Sequence, residues 1–304
     1  MDRFTTAKFE ILTYIGILPF IIKYVGKALA FITREPKFES FFAIEMMFLG
    51  NTEALAVSSL QLKRMKADRC LTLAMMSMSC ITAAMVGIYT KMMPGEFIIT
   101  AIPLNVINAL IVTNILHPVK IMEEEDTVAR VNDGGQKREP FFSFLGNSIL
   151  GAGRLILIIC ANVIAFVALA KLIDMLLVIA HPALTLENIL GCIMFPFAWL
   201  MGLDTGEAFQ LAQYMGTKLV TNEFVVMLNV QDIMGDFSRH MQGVLTVFVT
   251  SFANFSTLGM IIGCFKGLVD DSKNELISRN VGYMLLSGIL VSLLSAGIAG
   301  MFIW

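Results

Sequence analysis

Charge is what this sequence has least of: 15% of its 304 residues are Asp, Glu, Lys or Arg, against about a quarter in soluble domains. At 57% hydrophobic and a mean hydropathy of +0.76, the chain excludes a soluble enzyme, a secreted scaffold and a disordered segment, and belongs in a bilayer. A net charge of −2 leaves no basic stripe for nucleic acid. The cysteines, Cys70, Cys80, Cys160, Cys192 and Cys264, are scattered through apolar stretches without a C-x-x-C pair. That spacing argues against a disulfide framework and a zinc site, and they read as buried fillers. No Gly-rich phosphate loop, nucleophile elbow or metal-ligand spacing is present, so an enzyme and a cofactor find no support. Met1 to Glu10 lacks the order of a signal peptide. What is abundant, 23 Gly, 23 Phe and 21 Met against 8 Pro, suits helices packed in lipid.

A bilayer crossing needs about 20 mostly apolar residues. Cys70–Thr90, Phe97–His117, Ile149–Ile179, Met241–Phe265 and Asn280–Trp304 reach that length. Ile11–Thr33 carries Pro19, Lys23 and Lys27 and reads as a span end turning into an interfacial helix. Phe38–Leu60 is interrupted by Gly50-Asn51-Thr52-Glu53, and Glu207–Leu228 by Gly216, Lys218 and Thr221-Asn222-Glu223. Each half is too short to span at 1.5 Å per residue, so both read as re-entrant hairpins. With hairpins there, Lys and Arg gather on one side, as cytoplasmic loops require: Lys23 to Arg69, then Lys120 to Arg138, then Lys266 to Arg279.

The polar stretch 120–140 is the one clear linker. The organisation read from the sequence is a span end and interfacial helix (1–37), a first repeat with a hairpin and two spans (38–119), the linker, a scaffold span (141–181) and a second repeat (182–304). The fold class expected is an all-α polytopic membrane protein with about five full spans and inverted repeats. Secondary transporters are built this way, with the substrate near the midplane where interrupted helices meet.

A carboxylate inside an apolar stretch is costly in lipid and is a functional candidate. Glu53 and Glu223 sit at corresponding breaks, where Asn51, Thr52 and Asn222 add donors and acceptors. A hydroxyl-rich, uncharged solute fits such a site; the alternative is that both acids merely cap half-helices. Ser251, Asn254, Ser256 and Thr257 cluster in one later span, as ligands or as interhelical glue, and Phe252 either stacks on a ligand or fills core. Lys171 and Asp174 read as a pair or as snorkelling residues, Glu45 as facing the cytoplasmic mouth, Trp199 and Trp304 as interfacial anchors, and the three histidines as span-end residues.

Leu49-Gly50-Asn51-Thr52-Glu53-Ala54, Gly216-Thr217-Lys218 through Thr221-Asn222-Glu223-Phe224-Val225, and Ser251-Phe252-Ala253-Asn254-Phe255-Ser256-Thr257 resemble the signature stretches of the concentrative nucleoside transporters. The stretch Leu186–Gly202 and the closing Leu294-Ser295-Ala296-Gly297-Ile298-Ala299-Gly300 fit too, so the resemblance runs from about Ile11 to Trp304. It implies a cation-driven nucleoside importer of the cell membrane, a homotrimer whose transport domain slides past a fixed scaffold. By resemblance, Asn51, Thr52 and Glu53 hold the base side with Met85 nearby, Glu223, Asn254 and Thr257 hold the ribose hydroxyls, and Phe252 lines the pocket. The sequence departs from the family where Asn51 replaces Gln or Ser and Thr257 replaces Ser. At the sodium-site positions Met46, Leu49, Cys80 and Ile81, thioether and thiol stand where oxygen ligands are expected. Proton coupling through Glu53 or Glu223 is therefore expected. Full-length bacterial members carry about three spans before the position of Ile11, so the rival expectation is a non-transporting nucleoside-binding component, or a fragment that needs a partner chain.

Overall fold

In the computed structural model, residues 15–304 are described apart from 16, 82, 122–139 and 183. The sequence expectations for Met1–Glu10, for the start of Ile11–Thr33 and for most of the 120–140 linker lie outside those residues. The side chain of Thr52 does too, although its helical backbone is described. Among the described residues the secondary structure is entirely helical. In chain order the helices are α1 (Ile17–Thr33), α2 (Lys37–Leu49), α3 (Asn51–Val57), α4 (Ser59–Arg64), α5 (Ala67–Ser77), α6 (Ala83–Tyr89), α7 (Gly95–Leu116) and α8 (Phe141–Ala180). There follow α9 (Leu186–Leu200), α10 (Thr205–Val220), α11 (Glu223–Val230), α12 (Arg239–Val249), α13 (Phe255–Leu268), α14 (Asp271–Arg279) and α15 (Val281–Gly300).

The two hairpin stretches are interrupted where the sequence places the breaks. Gly50 separates α2 from α3 with φ 102° and ψ 170°, a backbone conformation that disfavours any residue with a Cβ. Thr221 and Asn222 separate α10 from α11, and the Asn222 side chain accepts the Val225 N–H at 3.0 Å, capping α11.

Two expected crossings are not continuous helices. Cys70–Thr90 breaks after Ser77 into α5 and α6, and Met241–Phe265 breaks at Thr250–Asn254 into α12 and α13. The reason is local hydrogen bonding: Asn254 accepts the Thr257 N–H at 2.8 Å and starts a new helix, because a short polar side chain competes with the helical carbonyl for that donor. The expected crossing Ile149–Ile179 lies within one unbroken helix, α8, of 40 residues, about 60 Å at 1.5 Å per residue and longer than the hydrocarbon core. It presents Leu157, Ile164 and Ile179 outward. Helices α7 and α15 have the length and composition to cross a bilayer.

Packing distributes the halves in a crossed pattern. One apolar core joins α2 and α5 to Leu258, Ile261 and Phe265 of α13. A second joins α10, α11 and α12 to Ile81 and Tyr89 around α6. Each broken helix thus begins in its own hairpin's core and ends in the other's. The two breaks meet on α15, where a Cβ added at Gly288 would lie 2.8 Å from the Ala253 Cβ and 3.0 Å from the Met78 Cβ. The Asn105 amide of α7 donates to the Thr250 carbonyl and Asn108 to the Ser295 hydroxyl at 2.9 Å, bracing the second break from behind. Below the first core, Arg69 and Glu39 form a buried two-point ion pair at 2.6 and 2.7 Å, whose severing on one side costs about 3–5 kcal/mol.

Several side chains differ from their sequence expectation. Glu45 does not face a mouth: it is buried and accepts the Ser58 hydroxyl at 2.8 Å. Asp174 accepts the Leu186 N–H at 2.7 Å, which ties the end of α8 to the start of α9. Cys160 and Cys192 are exposed, on outward faces of α8 and α9, while Cys70 and Cys80 are buried fillers as expected. His240, at the start of α12, is buried and bonds the Met201 carbonyl at 2.8 Å and the Ile303 carbonyl, stacking on Trp304.

Gly288→Val should lower thermal stability in detergent by about 1–3 kcal/mol, the usual cost of overpacking. Gly282→Val on the same helix, where an added Cβ meets nothing within 4 Å, should be close to neutral. Equal thermal shifts for the two variants would mean that the breaks do not meet tightly on α15.

Candidate functional site

Glu223 occupies the first turn of α11 and is 6% exposed. Both carboxylate oxygens are held: the Tyr89 hydroxyl donates to Oε1 at 3.0 Å and the Asn254 amide donates to Oε2 at 3.1 Å. The donors come from the end of α6 and from the cap of α13, so three interrupted elements converge on one carboxylate. The N-terminal ends of α11 and α13 both carry partial positive charge, which suits an anion there. A buried carboxylate with two fixed donors still has lone pairs to accept from sugar hydroxyls.

The segment 250–254 is wired in from its other end. Lys218, in the last turn of α10, is fully buried and donates to the Phe248 carbonyl at 2.7 Å, the Ser251 hydroxyl at 2.6 Å and the Ser292 hydroxyl at 3.2 Å. Beside the first break, the Asn51 amide donates to the Ser77 carbonyl at 2.6 Å, and the Ser77 hydroxyl donates to the Met46 thioether at 3.4 Å. Asn51 Oδ1 and Ser79 Oγ are buried without a hydrogen-bond partner among the described residues.

The residues singled out in the sequence fall into three groups. Glu223, Asn254 and Thr257 form one connected set, buried and joined by hydrogen bonds. Asn51 is tied to the first break, and Met46, Cys80 and Ile81 are buried around it with Leu49 half-buried. Glu53 lies on an exposed position of α3, which packs on α13. Asn254, the partner of Glu223, caps the N-terminal end of α13. Met85 and Phe252 are half-buried against the second core. Two participants have no role in the sequence reading: Tyr89, 134 positions from Glu223, and Lys218, present there as an interruption and as part of a signature stretch. The signal available for Lys218 was a lone cation in an otherwise apolar segment.

Residues 97–300 match the family described as the C-terminus of Na+ dependent nucleoside transporters. The purine nucleoside transport protein NupG of Bacillus subtilis is 45% identical over 301 residues, which cover 99% of this chain and 75% of that protein. The nucleoside permease NupC of Helicobacter pylori is 27% identical over 311 residues, 99% of this chain and 73% of that one. CNTnw in an inward-facing, substrate-bound state has the same fold, with a TM-score of 0.87 at 24% identity over 98% of this chain and 73% of that chain. Among the described residues the fold is all-helical, and NupG and NupC are named as a nucleoside transport protein and a nucleoside permease, not as enzymes. The chain belongs to the concentrative nucleoside transporter family, and it is a protein of the cell membrane.

Tyr89→Phe and Asn254→Ala each remove one donor from Glu223, and each should destabilise the protein by about 1–3 kcal/mol, the cost of a buried acceptor left unpaired. In a Glu223→Gln background the Tyr89→Phe effect should shrink, as a double-mutant cycle of thermal unfolding would register. Full additivity would mean that the two side chains do not interact.

Proposed function

We propose that the chain imports purine nucleosides by symport with protons. The observation that carries this reading is the buried Glu223 carboxylate, held by Tyr89 and Asn254 where the starts of α11 and α13 meet. The carboxylate and the Asn254 and Thr257 side chains receive the ribose hydroxyls, and Phe252 lines the pocket beside them. Asn51, Thr52 and Glu53 take the base side with Met85; Asn51 Oδ1 lacks a hydrogen-bond partner among the described residues and can accept from a base N–H. The purine preference rests on the likeness to NupG.

Alternating access follows an elevator pattern. The two hairpins re-enter the membrane from opposite faces and move as a unit with the broken helices, while α8 remains with the scaffold of a multi-pass homotrimer. Proton and nucleoside together neutralise and close the site, so the loaded unit moves and the half-loaded one does not.

The family description names sodium, yet at the expected cation positions this chain has Met46 and Cys80, with Leu49 and Ile81 contributing backbone only. The Met46 sulfur is already engaged by Ser77. A hard cation wants oxygen ligands, which supports a proton carried on Glu53 or Glu223.

In proteoliposomes, adenosine uptake should follow an inward proton gradient and be indifferent to a sodium gradient. Glu223→Gln should abolish uptake while the protein still inserts. Sodium-driven uptake that ignores pH would refute the coupling assignment, and binding without uptake in the unmodified chain would favour a non-transporting component.

A further inference from the structure

A lysine ammonium has three donors, and all three of Lys218 are used. The Phe248 carbonyl belongs to the last turn of α12, where the break at Thr250 removes its helical partner. That helix end carries partial negative charge, so a cation is favoured there. The Phe248 ring lies 4.5 Å from the ammonium. The Ser251 hydroxyl, 2.6 Å from Lys218, is also 2.6 Å from the Ser292 hydroxyl, which donates to the Gly288 carbonyl at 2.8 Å. One cation thus joins the end of the second hairpin's first arm, the unwound segment and α15. Glu223 lies just across the break between α10 and α11 from Lys218, and both side chains are buried. The two charges occupy opposite kinds of helix end, Lys218 at a C-terminus and Glu223 beside two N-termini.

We propose that Lys218 is a positioning residue for the Glu223 site: its ammonium fixes the unwound segment 250–254 against the second hairpin and serves as the counter-cation of Glu223 in its ionised form. This rests on the reading of Glu223 and Asn254 as acceptors and donors for ribose hydroxyls. Two residues of different helices must hold a common distance to grip neighbouring hydroxyls, and Lys218 sits between them in the chain of contacts. Asn254 follows Ser251 by three residues, and Glu223 follows Lys218 by five. Removing the ammonium frees the Phe248 carbonyl and leaves Glu223 as an uncompensated buried charge, which is strongly destabilising. Removing both charges leaves no such charge behind.

The test uses the full chain in detergent, as Lys218→Met, Glu223→Gln and the double variant. Without ligand, the double variant should recover at least half of the thermal stability lost by Lys218→Met, because methionine keeps the volume of the stem and glutamine removes the orphaned charge. In calorimetric titrations, Lys218→Met should weaken adenosine binding at least tenfold and 2′,3′-dideoxyadenosine binding less than threefold, since the latter has no ribose hydroxyl pair to be gripped. Folded double variant alongside an unfolded Lys218→Met would also support the counter-cation. A double variant no more stable than Lys218→Met, failure of both to fold, or equal weakening of the two ligands would make Lys218 a packing residue and overturn the proposal. The stability comparison needs no ligand, so it decides the counter-cation even where the unmodified chain binds no nucleoside and the transport reading itself has failed.

Discussion

A helix that stops inside a bilayer strands its last carbonyls and its next helix's first N–H groups where no water can reach them, and each must find a partner within the protein. Among the described residues, helices stop and restart within apolar stretches at Gly50, after Ser77, at Thr221–Asn222 and at Thr250–Asn254. The rest of the architecture answers that requirement. Asn222 and Asn254 cap the helices that restart, Lys218 covers a carbonyl of the helix that ends, and Asn105 and Asn51 cover carbonyls at the edges of the breaks. The groups that satisfy stranded backbone are also the groups a polar solute could meet, so binding capacity grows out of the structural need.

The arrangement of charge follows the same logic. Glu223 lies where two helix starts concentrate partial positive charge, and Lys218 lies where one helix end concentrates partial negative charge. Neither would be tolerated alone at zero or near-zero exposure. The unwound segment links the two, with Ser251 bonded to Lys218 and Asn254 bonded to Glu223. The Arg69 and Glu39 pair does a simpler task at the first core, joining α5 to α2 with both guanidinium contacts satisfied.

Much of this was legible in the sequence, for identifiable reasons. Gly50 and the run Thr221-Asn222-Glu223 announce breaks because glycine and capping residues interrupt apolar stretches too short to divide into spans. Asn254 and Thr257 stand out as polar groups clustered with Ser251 and Ser256 in one apolar stretch. The apolar lengths of α5–α6 and α12–α13 concealed their interruptions, since the small polar residues Ser77, Ser79, Thr250 and Ser251 are interleaved with Met78, Ile81, Phe252 and Ala253, which carry an apolar count through the break. Lys218 was visible only as a charge out of place, and Tyr89 was silent, because a tyrosine near a helix end has many ordinary uses. The exposed Cys160 and Cys192 show the same limit: composition says that a cysteine sits in an apolar segment, but not whether that segment faces protein or lipid.

The sequence by itself determined the solvent, the helical class, the two hairpin interruptions and the motif-bearing residues. These depend on run length and on the local chemistry of glycine, asparagine and carboxylate, which act within a few residues of themselves. Only the tertiary structure decided that the two broken helices change cores at their breaks, that both breaks press on Gly288, that Glu223 answers to Tyr89 and Asn254 and Lys218 to Phe248, Ser251 and Ser292, and that Glu53 stands on an exposed face of α3. Those are facts about which distant helices meet, and a buried donor's choice of partner is fixed by packing across the fold rather than by its neighbours in the chain.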